Sequence, residues 1–161
     1  MIDVAGSLFV GAASLLLGIL VIDMLWDARS VTEKPFTMAT SEAIREYYYN
    51  NLIYMAKRTP QILAPMPLAF LTVVGSLSYK LVHGMRAGDS PATTSALVSI
   101  GLTFPIIVVA AASTIPTLSR IDAERATLTL QQRHLLQRRI YRQHVLYFTC
   151  TVVAIAVQFV L

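Results

Sequence analysis

The chain has 161 residues, of which 55% are hydrophobic and 14% charged, with a mean hydropathy of +0.61. Roughly 25% charge is usual for a soluble domain, which excludes water as the solvent for most of this surface. The net charge of +4 is explained by membrane topology and anionic headgroups, so no nucleic-acid partner is expected, and a single cysteine, Cys150, excludes an intrachain disulfide.

Four apolar stretches alternate with two basic segments. The first expected span covers 4–25. Residues 1–20 hold no Lys or Arg, and a secretory signal needs a basic start, so a retained span is expected. Within it Ser7, Gly11, Ser14 and Gly18 form one small-residue stripe, the kind of surface that lets helices approach closely in lipid. It serves helix packing, within this chain or as the seam of an oligomer. Asp23 and Asp27 follow one helical turn apart, so their carboxylates share a face.

After the turn-like Glu33-Lys34-Pro35-Phe36, residues 41–57 contain no Gly or Pro, and Ile44, Tyr47, Tyr48, Leu52 and Met55 recur at helical spacing. An interfacial amphipathic helix is predicted there. Its tyrosine run, Tyr47, Tyr48 and Tyr49, either floats the helix at headgroup level or lines a portal for a lipophilic ligand. Glu42, Arg45 and Glu46 stand beside it.

The second span is predicted over 61–79, opened by Pro60 and loosened by Pro65 and Pro67. The third covers 93–117, with Pro105 near its middle, and the fourth covers 143–161. Residues 121–142 also lack Gly and Pro, so a helix protruding from the membrane is expected to lead into the fourth span. The fold class is therefore all-α: a single polytopic membrane domain, its four transmembrane helices in an up-and-down bundle.

Lys and Arg divide unevenly among the connections. Arg29, Lys34, Arg45, Lys57 and Arg58 fall in the first; Arg120, Arg125, Arg133, Arg138, Arg139 and Arg142 in the third; only Lys80 and Arg86 in the second. By the positive-inside rule, segments 27–60 and 119–142 should be cytoplasmic, or matrix or stromal in an organelle, with both termini and the 80–92 loop opposite.

Chemistry-bearing residues concentrate on that basic side. Asp23, Asp27, Arg138, Arg142 and His144 are the candidate catalytic residues, because the first and fourth helices of such bundles are commonly neighbours. They form either a structural ion-pair cluster or a polar site in which Asp23 or His144 moves a proton and arginines hold an anion. No HExxH, ExxH or cysteine pair is present, so no metal site or cofactor is expected. The deep parts of the predicted spans lack the ionisable residues of a channel or pump.

The four-span outline is similar to that of membrane-associated eicosanoid and glutathione enzymes. Their Arg, Asn and Glu series belongs in the second span, whereas here Arg45, Glu46 and Asn50 come in another order and before a span. A His- and Arg-bearing last helix also resembles the small anthrone-oxygenase-like membrane proteins, without a shared motif. Neither likeness transfers a residue role. The leading expectation is an accessory or scaffold subunit, a homo-oligomer or part of a membrane complex, that binds lipid or a partner through its basic side. The alternative is a small membrane enzyme, oxygenase- or transferase-like, acting on a lipophilic small molecule at a cytoplasmic-leaflet cavity; a carrier of small amphiphiles is a third.

Overall fold

A computed structural model describes residues 3–48 and 65–161. The described residues form α1 (Val4–Thr32), α2 (Met38–Tyr48), α3 (Pro65–Ala87), α4 (Ser90–Ala123) and α5 (Leu130–Val160), with no strand among them. Of these, α1, α3, α4 and α5 are long and apolar enough to cross a membrane. The 29 residues of α1 extend about 44 Å at 1.5 Å per residue, beyond the roughly 30 Å of a hydrocarbon core. The expected second span and interfacial helix lie partly outside the described residues, at 61–64 and 49–57.

Helix ends follow local chemistry. Thr37 caps α2 by accepting the Thr40 N–H on its hydroxyl at 3.1 Å. Gly88 ends α3 with φ +66°, a left-handed conformation that a β-carbon disfavours. Its successor Asp89 donates its N–H to the Gly84 carbonyl and accepts the Ala92 N–H on its carboxylate, so one residue closes α3 and opens α4. A β-carbon on Gly84 would stand 2.8 Å from the Thr93 hydroxyl, so this corner also requires a glycine for close approach.

Helix continuity is interrupted at two places. First, α4 widens into a π-helical turn at Ala110–Thr114, just ahead of Pro116. Proline has no N–H for the Ala112 carbonyl and its ring crowds that group; a π turn relieves both. Second, the breaker-free stretch from Ile121 is not one helix. It breaks after Ala123, and Thr129 restarts it by accepting the Gln132 N–H while the Gln132 side chain accepts the Thr129 N–H. That reciprocal capping box outcompetes helix continuation.

The chain forms two compact units, one from Met1–Ile19, Ala64–Ile107 and Tyr147–Leu161, the other from Leu20–Leu63 and Val108–Leu146. In the first, Phe9 and Ala13 of α1, Val73 and Leu77 of α3, and Ala154 of α5 make the buried core. A polar chain runs beside it. The Lys80 ammonium donates to Gln158 Oε1 at 2.8 Å, and the Gln158 amide donates to the Ser99 hydroxyl at 2.8 Å. Lys80, expected at the start of a loop, is instead buried within α3. The Ser7, Gly11, Ser14 and Gly18 stripe faces outward, and added β-carbons at Gly11 and Gly18 would meet nothing within 4 Å.

Replacing Gly88 by Ala should destabilise the first unit by about 1–2 kcal/mol, the cost of a left-handed non-glycine residue. Thermal unfolding in detergent, compared with an exposed Gly101→Ala control, measures it.

Candidate functional site

The second unit contains the chemistry. Asp27 lies on the last turns of α1 and has no exposed surface. Its Oδ2 is 2.6 Å from His144 Nδ1 of α5. A carboxylate only accepts, so Nδ1 carries the proton and donates it. The Tyr48 hydroxyl of α2 lies 3.4 Å from His144 Nδ1, close enough to Asp27 for that carboxylate's charge to act on the phenol. Oδ1 of Asp27 accepts no hydrogen bond among the described residues. A fully buried carboxylate is therefore held by one imidazole with a phenol beside the pair, and an acceptor position is left over.

A second carboxylate is set beside the first. Tyr47 donates to Asp23 Oδ1 at 2.8 Å and stacks on Trp26 at a centroid separation of 5.0 Å, while the Arg29 guanidinium covers Trp26 at 5.4 Å. Burial, then the Asp27 and Asp23 charges, push the Tyr48 phenol far above its ordinary range; burial and the bond to Asp23 do the same for Tyr47. Both phenols stay protonated. They act as donors, since a phenolate here would face two carboxylates.

Tyr48 also lines a cavity of about 220 Å³ with Ile44, Ile115, Leu118, Ile121 and Ile140 as its apolar wall. Its polar lining comes from Arg45, Ser119, Asp122 and Gln137. Gln137 donates its amide to the Ser41 carbonyl at 2.9 Å, yet its Oε1 has no partner among the described residues. An apolar cavity of ~150 Å³ accommodates benzene, so this one has room for a ring with substituents.

An ionic hub fixes the wall that carries Arg45. Glu42 accepts from Arg45 Nε at 2.8 Å and Arg133 Nη1 at 2.5 Å, with Arg125 Nε at 3.2 Å; Arg45 also reaches Asp122 at 2.8 Å. Arg133, nearly buried, donates as well to the Arg125 carbonyl. Partial burial alone would push the Glu42 carboxyl up, but the Arg133 and Arg45 hydrogen bonds and the surrounding positive charge outweigh it and hold it down at about 2. The hub joins α2, the end of α4 and the start of α5. Nearby, His134 donates from Nε2 to the Ser30 carbonyl at 2.7 Å and stacks on Phe36.

Of the residues singled out in the sequence, Asp27 and His144 are in contact, and Asp23 is joined to their surroundings through Tyr47 and the adjacent Tyr48. Arg138 and Arg142 do not join them: both are exposed and line a separate groove with Arg139. Tyr49 lies outside the described residues. Tyr48 is buried, with its hydroxyl 3.4 Å from His144 Nδ1. Gln137 was not anticipated, nor was the clamp in which Gln143 donates to Ser113 at 2.6 Å and accepts from Thr114 at 3.0 Å. The available signal was the two glutamines themselves, since an amide that folding buries needs a partner. Among the described residues no group of three His, Cys, Asp or Glu is placed to hold a metal ion. No family model, curated protein or solved structure matches this chain.

The low Glu42 carboxyl sets a pH dependence. A carboxylate depressed on folding adds stability that is complete above its unfolded value near 4.5 and lost as pH falls towards about 2. Allowing for solvent screening, it is worth on the order of 2 kcal/mol. Acid titration followed by near-ultraviolet circular dichroism should lose tertiary signal in that window, and Glu42→Gln should flatten this component of the titration.

Proposed function

We propose that the chain is a four-span membrane protein that binds a small, largely apolar molecule in the Tyr48 cavity and exchanges a proton with it. The observation that carries this reading is the buried Asp27–His144 pair with the Tyr48 hydroxyl 3.4 Å from His144 Nδ1, because the same tyrosine lines the cavity. Ionisable groups buried in membrane helices are costly and commonly functional. The charge bias supports placing the cavity on the cytoplasmic, matrix or stromal side, with the four spans in an up-and-down bundle.

The chemistry follows from the phenol. Tyr48 Oη accepts a proton from an acidic X–H of the bound molecule while passing its own proton to Asp27. The tyrosine is neutral before and after, which suits its strongly raised phenol. The products are a protonated Asp27 and a substrate anion. His144 Nδ1–H orients Asp27 throughout, Gln137 Oε1 can accept a hydrogen bond from the ligand, and the Arg45 guanidinium on the cavity wall stabilises the developing negative charge. Tautomerisation or isomerisation of a ring-sized hydroxy or carbonyl compound is the reaction class that needs only these parts.

The test begins with the small molecules retained by protein purified from membranes. Wild type should retain a ring-sized lipophile that Leu118→Trp, filling the cavity, excludes. In deuterated buffer wild type should exchange label into that compound, and Tyr48→Phe should slow the exchange by ~100-fold or more, the usual size of an acid–base contribution. Identical retained molecules in Leu118→Trp, or wild-type exchange in Tyr48→Phe, would reject the reading.

One observation favours the accessory-subunit reading as well: the outward Ser7, Gly11, Ser14 and Gly18 stripe has open space before it. On that reading α1 packs against a second membrane helix, from another copy or a partner. Gly11→Leu and Gly18→Leu should then dissociate a detergent-stable assembly seen by native mass spectrometry. A strictly monomeric wild type argues against it.

A further inference from the structure

The second unit distributes its arginines unevenly. Arg29 pairs with Glu33, Arg120 with Glu124, and Arg45, Arg125 and Arg133 all reach Glu42. Arg138, Arg139 and Arg142 have no carboxylate among the described residues, although they occupy adjacent turns of α5, where like charges repel. Together with Leu135, Gln143 and Leu146 they line an open groove of about 330 Å³. Leu135 is 61% and Leu146 52% exposed. One wall is rigid, because the Gln143 amide is clamped by Ser113 and Thr114.

The position of this groove along α5 is as informative as its charge. Residues 143–161, which follow Arg142, carry no Lys, Arg, Asp or Glu. At 1.5 Å per residue those residues extend about 28 Å, close to the hydrocarbon thickness of a bilayer. The arginines therefore stand where headgroups would lie, and Leu146 stands one turn deeper.

We propose that this groove is a binding site for an anionic phospholipid, with its phosphate held by Arg138, Arg139 and Arg142 and an acyl chain against Leu146. Guanidinium forks match phosphate oxygens in pairs, and a phosphate among the three relieves their mutual repulsion. The exposed leucine at the deep end distinguishes a lipid from a free anion: a molecule that joins a phosphate to an acyl chain reaches the arginines and Leu146 together, whereas inorganic phosphate reaches only the arginines. The inference rests on the membrane-spanning reading but is independent of proton exchange at Tyr48.

The experiment uses the full chain in nanodiscs of phosphatidylcholine containing a minority of phosphatidylglycerol, with lipids retained on ejection counted by native mass spectrometry. Wild type should retain phosphatidylglycerol preferentially. The combined Arg138→Gln, Arg139→Gln and Arg142→Gln variant should weaken that preference at least about tenfold, whereas Arg29→Gln with Arg120→Gln should leave it unchanged. Equal loss in both variants would mean bulk charge and overturn the site. Displacement of the lipid by inorganic phosphate at equal concentration would overturn the lipid assignment.

A second measurement requires no substitution. A photoactivatable phosphatidylglycerol should label wild type within residues 135–146, and labelling spread evenly over the chain overturns the proposal. Loss of the chain from vesicles on alkaline washing would reject the membrane-spanning reading itself. Retention with no preference between the two lipids rejects only the groove.

Discussion

A carboxylate stripped of water must recover its lost hydration from neighbouring groups, and Asp27, with no exposed surface, recovers it from the His144 N–H, beside which the Tyr48 hydroxyl is packed. This requirement ties the C-terminal turns of α1 to α2 and α5. Removing His144 would leave a buried charge unsupported, which costs several kcal/mol in general. The same arrangement explains why a tyrosine, rather than a phenylalanine, stands between the buried acid and an apolar cavity: its ring suits the cavity and its hydroxyl suits the acid. One side chain thus connects an electrostatic constraint to an apolar cavity.

Glu42 performs a parallel task with charge of the opposite kind around it. Three guanidiniums converge on one carboxylate, and because Arg45 also reaches Asp122, the hub sets the wall of the cavity. Breaking the breaker-free segment after Ala123 makes this geometry possible. The restart at Leu130 lets Arg133 fold back to both Glu42 and the Arg125 carbonyl. Glu33, Glu42 and Glu124 are engaged by other arginines, and Arg138, Arg139 and Arg142 have no carboxylate partner among the described residues. Local capping chemistry and long-range charge placement are linked in this way.

The first unit obeys the rule that interior polar groups need partners in a different manner. Lys80, Gln158 and Ser99 satisfy one another in sequence, so the ammonium is met by an amide oxygen rather than a carboxylate. Its hydrophobic core is small, and much of α1 and α4 presents Leu, Val and Phe outward. For a chain in lipid, exposed apolar surface carries no penalty. Close helix contact then depends on small residues and polar bonds.

The helical class and the existence of four apolar segments long enough to span a bilayer were legible directly, because a run of uncharged residues near bilayer length has few alternatives. Asp27 and His144 were legible as candidates for a related reason: ionisable groups beside apolar spans are rare enough to notice. Arg138 and Arg142 were grouped with them because spacing along α5 gives depth but not direction in space. Tertiary structure separated the two sets, turning His144 towards Asp27 and the arginines outward. It also decided that Tyr48 and Gln137 share a cavity and that Glu42 gathers three arginines. Hydrophobic length and charge bias are one-dimensional quantities that a chain carries wherever it goes. Which buried polar group meets which partner depends on side chains many residues apart in sequence, and only packing brings those together.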